Sequence, residues 1–374
     1  MTVLRDDELD LLAKSLEGNT NLKALHLYSK TLGHWEARQI AAAIAKSGLE
    51  RLELSIFETD PSRSGAMRTL YLKGVLPCTT LQQLTIGGRI GKPVWLAMAG
   101  KGLSGITIQT PSPQAARVPD GHFADVCHSL TGQLAHLRQL KFGYMRMSAA
   151  RMRVLSEGLR GNTSLVELSL HHCYLQDHEA EELVRDWGED HRLQTLRVEL
   201  NPISDRGAIA LLQASSTCTS LQRISLRGSA LVDEDGLARI ARELCRNRAI
   251  RWRGIDLSDC ILDSAGGRTV RQPGAVAQLF TVALKANRNI FDLCIDGNGM
   301  EDDRGIEGKT ELLLAGALNI CHAYDMSAPC QPGNRGGHRP FIWCHMMASR
   351  ANDPTWIYWS LLEQPNLTNQ RQYS

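Results

Sequence analysis

Aromatic residues are scarce in this sequence: Phe, Trp and Tyr make up 5% of its 374 residues. A core built around large rings is thereby excluded. Leu, Ile, Val and Ala must supply it, within a hydrophobic fraction of 43% that is ordinary for a globular chain. Net charge is nearly absent as well, at +2 from 42 basic and 40 acidic residues. That balance offers no general attraction for nucleic acid or an anionic membrane, so neither is expected as a partner. The opening MTVLRDDELDLLAKSLEGNT has no apolar run and carries acids at once, unlike a secretory signal. No apolar stretch reaches the length of a membrane span. The ten cysteines lie scattered, at 78, 127, 173, 218, 245, 260, 294, 321, 330 and 344, and read as reduced thiols of a cytoplasmic protein rather than a disulfide framework. A serine elbow, a P-loop, paired dinucleotide glycines and a His-Glu zinc motif are all missing. Neither an enzyme nor a cofactor is therefore expected.

What the sequence has is a repeat. The pattern L-x-x-L-x-L opens at Leu22, Leu49, Leu81, Leu103, Leu137, Leu165, Leu193, Leu221, Trp252 and Ile290. The steps between these starts are 27, 32, 22, 34, 28, 28, 28, 31 and 38 residues, and the three equal steps of 28 hold a register that chance does not. The fourth and sixth places of each copy are apolar and two apart, as in a short strand with one buried face. Three residues past the strand stands a small polar residue with an apolar one two places later: Cys173 with Leu175, Asn201 with Ile203, Cys260 with Leu262, Asn298 with Met300. Such a side chain can satisfy backbone groups left free as the chain turns out of the strand. A helix follows. In the stretch starting at Glu234, Leu237, Ile240, Ala241 and Leu244 recur at helical spacing. The tags GNTNL at 18–22 and GNTSL at 161–165 end one helix with Gly and Asn and lead into the next strand. A first helix is expected over Asp6–Leu16.

These repeats resemble the ribonuclease-inhibitor-like subfamily of leucine-rich repeats over residues 4–326. The resemblance implies an α/β solenoid shaped as a horseshoe, with about ten parallel strands on the concave face and helices outside. It implies no single function, since the family includes inhibitors, sensor domains, GTPase activators and scaffolds.

Two domains are expected: the repeats over 1–326, and a linker with a cap or tail over 327–374. Residues 327–340, SAPCQPGNRGGHRP, are the Pro/Gly linker, and Phe341, Trp343, Trp356, Tyr358 and Trp359 concentrate in a segment suited to cover the last open core face. The short step from Leu81 holds PVWLAMAG, read as a single turn. The long steps hold TPSPQAARVPDG and SAGGRTVRQPG, expected as loops at one rim.

Residues that could carry chemistry fare poorly. Cys321, His322, Cys330, His338, Cys344 and His345 crowd within 25 residues but lack the pair spacing of a zinc site. Asp296, Asn298 and Glu307 match three places of a calcium loop, yet Met300 and Glu301 fill places that demand a ligand and a glycine. No metal is expected. Cys173 and Cys260 belong to the repeat and should be buried and inert. An alternative is a GTPase-activating regulator resembling the Ran GTPase-activating proteins, for which Arg89 would be the residue that stabilises charge at a partner's phosphate. Another is a sensor fragment of a larger receptor.

The concave face can be read from the strand register, because alternate side chains point away from the core. The fifth places run His26, Glu53, Thr85, Thr107, Lys141, Ser169, Arg197, Ser225, Asp256 and Cys294, and the seventh places run Tyr28, Ser55, Gly87, Gln109, Gly143, His171, Glu199, Arg227, Ser258 and Asp296. Repeats five to eight read as a basic zone with Arg138, Lys141, Arg197, Arg223 and Arg227 around Tyr144, His171, His172 and Glu199. Repeats nine and ten read as acidic, with Asp256, Asp259, Asp292 and Asp296. Arg and aromatic residues are frequent interface anchors. The expected function is a non-enzymatic module that acts as a monomer and binds another protein through these residues.

Overall fold

A computed structural model describes residues 6–298 apart from 30–32, 57–63, 88–101, 110–119, 133, 188–191, 231–233, 248–252, 261–272, 291 and 296. The chain alternates strand and helix along its length. The strands are β1 (Ala24–Ser29), β2 (Arg51–Ile56), β3 (Gln83–Gly87), β4 (Gly105–Gln109), β5 (Gln139–Gly143), β6 (Glu167–His171), β7 (Thr195–Arg197), β8 (Arg223–Ser225), β9 (Gly254–Asp256) and β10 (Asp292–Cys294). The helices are α1 (Asp6–Leu16), α2 (His34–Ala45), α3 (Ser64–Leu70, running on into a π-helical turn at Tyr71–Val75), α4 (Asp120–Ser129), α5 (Ala149–Leu159), α6 (Asp177–Val184), α7 (Asp205–Thr217), α8 (Glu234–Arg246) and α9 (Pro273–Ala286).

All ten strands lie in one open sheet in sequence order. Every pair is parallel and in register: the fourth places Leu25, Leu52, Leu84, Ile106, Leu140, Leu168, Leu196, Ile224, Ile255 and Leu293 form one unbroken row. Register this strict follows from the two-residue period of a strand, since a slip by one would turn each buried leucine to solvent. The expected solenoid is therefore present, with each repeat packing on its neighbours. One continuous core runs from Leu27 to Ile295 between sheet and helices. It is aliphatic, as the poverty in rings required; Phe123 and Phe142, 5.3 Å apart between ring centres, are an exception at repeat five.

The turns keep the chemistry read from the sequence. Asn201 Oδ1 accepts from the backbone N–H of Cys173 (2.7 Å) and Leu175 (3.2 Å), and its Nδ2 donates to the carbonyls of Leu170 (2.7 Å) and Val198 (2.8 Å). Asn298 repeats the arrangement on Cys260 N–H (2.7 Å) and the carbonyls of Leu257 (2.8 Å) and Ile295 (2.7 Å). In the GNTSL tag, Gly161 takes a left-handed φ of 86° to end α5, and Asn162 Oδ1 then accepts from Ser164 and Leu165 N–H. The helix over Asp6–Leu16 has the expected bounds. Among the described residues no helix is long and apolar enough to cross a membrane. The PVWLAMAG segment, most of the two inserted loops, the calcium-loop acids Asp296 and Glu307, the Cys/His cluster after Asn298 and the whole 327–374 segment lie outside the described residues.

Candidate functional site

Pleating sends the third, fifth and seventh places of each repeat onto the helix-free face. Lys141 of β5, His171 of β6 and Arg197 of β7 project there, followed by Glu199, which lies two residues past Arg197. Arg223 of β8, Arg227 beyond it and Asp256 of β9 continue the surface. Arg138 differs: it is exposed but precedes β5 by one residue, on the opposite parity to the outward places 139, 141 and 143. Asp296 lies outside the described residues.

The basic zone is corrected by what stands among its cations. Glu167, a third-place residue the sequence reading passed over, has only 15% of its side chain exposed and is held from three sides. Lys141 Nζ is 3.1 Å from it, Arg197 Nε 3.3 Å, and Gln139 donates at 3.3 Å. Glu199 in turn pairs with Arg197 (3.3 Å) and lies 3.7 Å from His171 Nδ1. Arg227 reaches Asp259 at 3.0 Å, and that pairing is the main reason its guanidinium is held even more firmly protonated than usual. Arg223 crosses β9 to Asp292 of β10 at 3.6 Å. The crossing is open because Gly254 stands between them in register. Across the described residues of β5–β10 most of the cations on this face are thus paired with carboxylates of their own or a neighbouring repeat, while Asp256 accepts from the hydroxyls of Ser225 and Ser258. Individual exposed pairs of this kind contribute little stability. Linked together they restrict the rotamers of the side chains a partner would meet.

A second feature lies where the strands end. In repeats five to ten the place seven residues after the repeat opens carries Tyr144, His172, Leu200, Gly228, Asp259 and Gly297, and all six have left-handed backbone, with φ of 55°, 51°, 55°, 68°, 59° and 69°. Gly suits that conformation and Asp and His tolerate it, but Tyr and Leu are strained there. Tyr174, two residues on from His172, shares it with a φ of 58°. The rings form a row: Tyr144 lies 5.6 Å from His171 and 5.2 Å from His172, and His172 lies 5.2 Å from Tyr174. Leu200 continues it by lying across Gly228, where any Cβ would strike its side chain. Tyr144, Tyr174 and Leu200 are 39%, 42% and 46% exposed. Tyr144 and His172 were foreseen as site residues; Tyr174 and Leu200 were not. Aligning the 28-residue steps would have placed Leu200 beside the other two, but their left-handed backbone is a property of the turn, invisible in residue type.

Three of the described thiols are inert by position. Cys173 and Cys260 are buried, and burial pushes each thiol up to about 12. The thiol of Cys127 is also pushed up by burial. Iodoacetamide at mildly alkaline pH is expected to spare Cys173 and Cys260 in the folded chain and to alkylate both after denaturation, as mass spectrometry would show. Modification of either at the rate of a free thiol would contradict its burial. Among the described residues no group of three or more His, Cys, Asp or Glu could hold a metal ion.

No family model matches the chain, and no curated protein matches it in sequence. Solved structures do. The leucine-rich repeat-containing protein LegL7 from Legionella pneumophila is 10% identical, with a TM-score of 0.54 over 83% of this chain and 96% of that one. The yeast Rad7 and Elc1 complex matches at 15% identity and a TM-score of 0.38, covering 70% of this chain and 69% of that one. The tropomodulin C-terminal domain of Caenorhabditis elegans matches at 16% identity and 0.32, covering 54% and 97%. The likeness to LegL7 and the ten-strand parallel sheet together make this a protein of leucine-rich-repeat fold.

Proposed function

We propose that the chain is a non-enzymatic interaction module of the ribonuclease-inhibitor-like kind, which binds a partner protein on its concave face around Lys141, Tyr144, His171, His172, Arg197, Glu199, Arg223, Arg227, Asp256, Asp259 and Asp296, with Arg138 beside that face. The observation that carries this reading is the ion-pair lattice on the helix-free side of β5–β10. It fixes long polar side chains in place before any partner arrives, which lowers the ordering cost of binding. The equal 28-residue steps, each with a full helix, favour this subfamily.

Affinity purification with mass spectrometry would identify the partner, and truncation would then test the face. Arg197→Ala combined with Arg227→Ala is expected to weaken binding by ~1–3 kcal/mol, as for interface anchors. Truncation is preferable to charge reversal, since a glutamate at 197 would stand against both Glu167 and Glu199. Folding should change little, because Glu167 keeps Lys141 and Gln139 while Glu199 keeps His171. Equal losses from Arg239→Ala with Arg242→Ala on α8, and none from the concave pair, would place binding on the helical side instead.

A further inference from the structure

The strained row at the strand ends asks for an explanation that folding does not supply. Gly228 and Gly297 show what the turn itself favours, yet three consecutive repeats put Tyr144, His172 and Leu200 in the same left-handed place. The side chains nevertheless stay partly open to solvent, since Tyr144 and Leu200 are more than a third exposed. Strained backbone that displays bulky side chains to solvent is characteristic of binding sites. Neighbouring strands lie roughly 4.8 Å apart, so places from Tyr144 to Gly228 span about 15 Å. That length suits a short segment of another chain.

The chemistry of that segment follows from the charges beside the row. Four carboxylates of the neighbouring lattice are already matched: Glu167 by Lys141 and Arg197, Glu199 by Arg197 and His171, Asp259 by Arg227, Asp292 by Arg223; Asp256 is held by the hydroxyls of Ser225 and Ser258. Arg146 is not. It is exposed and holds the register place of Tyr174 one repeat earlier, and its segment is tied to the next by the Met147 N–H donating to the Cys173 carbonyl. Its guanidinium has no ion-pair partner among the described residues. The row is therefore an apolar strip with an uncompensated cation at one end and an imidazole, His172, in its middle.

We propose that Tyr144, His172, Tyr174 and Leu200 form a docking ridge for an acidic, apolar segment of a partner protein, whose carboxylate meets Arg146. This deepens the reading of the chain as an interaction module and depends on it, but it does not depend on the ion-pair lattice.

The test is to pan a phage-displayed random peptide library on the full chain, then measure selected synthetic peptides by calorimetry. Enriched peptides are expected to set Leu, Ile, Phe or Trp beside Asp or Glu. Leu200→Gly and Tyr144→Ser should each weaken them about tenfold or more. Arg146→Glu should turn the preference towards peptides bearing Lys or Arg. Leu200→Gly also separates binding from folding: glycine is at ease at that φ, so its melting temperature should stay level or rise while affinity falls. Failure to enrich any peptide, enrichment of basic ones, or binding indifferent to all three variants overturns the ridge. So would adsorption to anionic vesicles or self-association that the same variants abolish, since the ridge would then serve a membrane or a second copy. Peptides lost on Arg197→Ala but kept by the ridge variants would overturn the ridge and leave the concave-face reading standing.

Discussion

Asn201→Ala is expected to destabilise the protein by about 3–5 kcal/mol, because it strands several buried backbone groups at once. The side chain sits between repeats six and seven. Its Oδ1 serves the N–H groups of Cys173 and Leu175, and its Nδ2 serves the carbonyls of Leu170, Val198 and Glu199. Asn201 is 2% exposed, while Cys173 and Leu175 are fully buried, so water does not readily replace it. Each buried group left unpaired costs roughly 1–3 kcal/mol. Asn201→Asp should fare poorly too, since it keeps the acceptor, loses both donors and brings a charge inside. Urea unfolding followed by circular dichroism would measure the loss. Hydrogen exchange should show it first around β6 and β7, because a solenoid couples each repeat mainly to its neighbours. A shift under ~1 kcal/mol would mean that neighbouring groups or water take over the asparagine's bonds.

Gly158→Val is expected to cost about 3 kcal/mol, the upper part of the range for overpacking. Gly158 faces α4 from α5, and a Cβ there would lie 2.8 Å from the Cys127 carbonyl carbon and 3.2 Å from its Cα. These are backbone atoms of the neighbouring helix, so no side chain can swing aside. The helices would have to separate, opening the layer where Leu155 and Leu159 are buried. Gly158→Ala sharpens the test. In a helix interior alanine normally gains up to about 1 kcal/mol over glycine. Here it should lose stability, and a rise in melting temperature would show that the two helices are not held at this distance.

The repeat made the architecture legible. Ten L-x-x-L-x-L segments became ten parallel strands, and α1 took the bounds its apolar spacing marked. The polar residues after the strands could be assigned a task, as Asn201 and Asn298 show, because a buried turn leaves backbone groups that only a short polar side chain in the right place can satisfy. Which side chains face away from the helices was also readable, since pleating alternates them without reference to the rest of the molecule.

Pairing across strands was not readable in the same way. The sequence places Lys141, Arg197 and Arg223 close together and suggests a basic field, but Glu167 lies between two of them only once β5, β6 and β7 are side by side. Arg223 meets Asp292 across a strand, over a glycine whose importance depends on who its neighbours are. The ridge of Tyr144, His172 and Leu200 likewise arises from a left-handed turn repeated at one height along the solenoid. Apolar period and turn chemistry are local, carried within a few residues of one another, so the sequence by itself determined the repeat, the register and the outward face. Charge compensation across strands, and the alignment of the left-handed turns into one row, depend on residues about 28 positions or more apart, which only the stacked repeats bring within reach, and so the tertiary structure alone decided what that face presents.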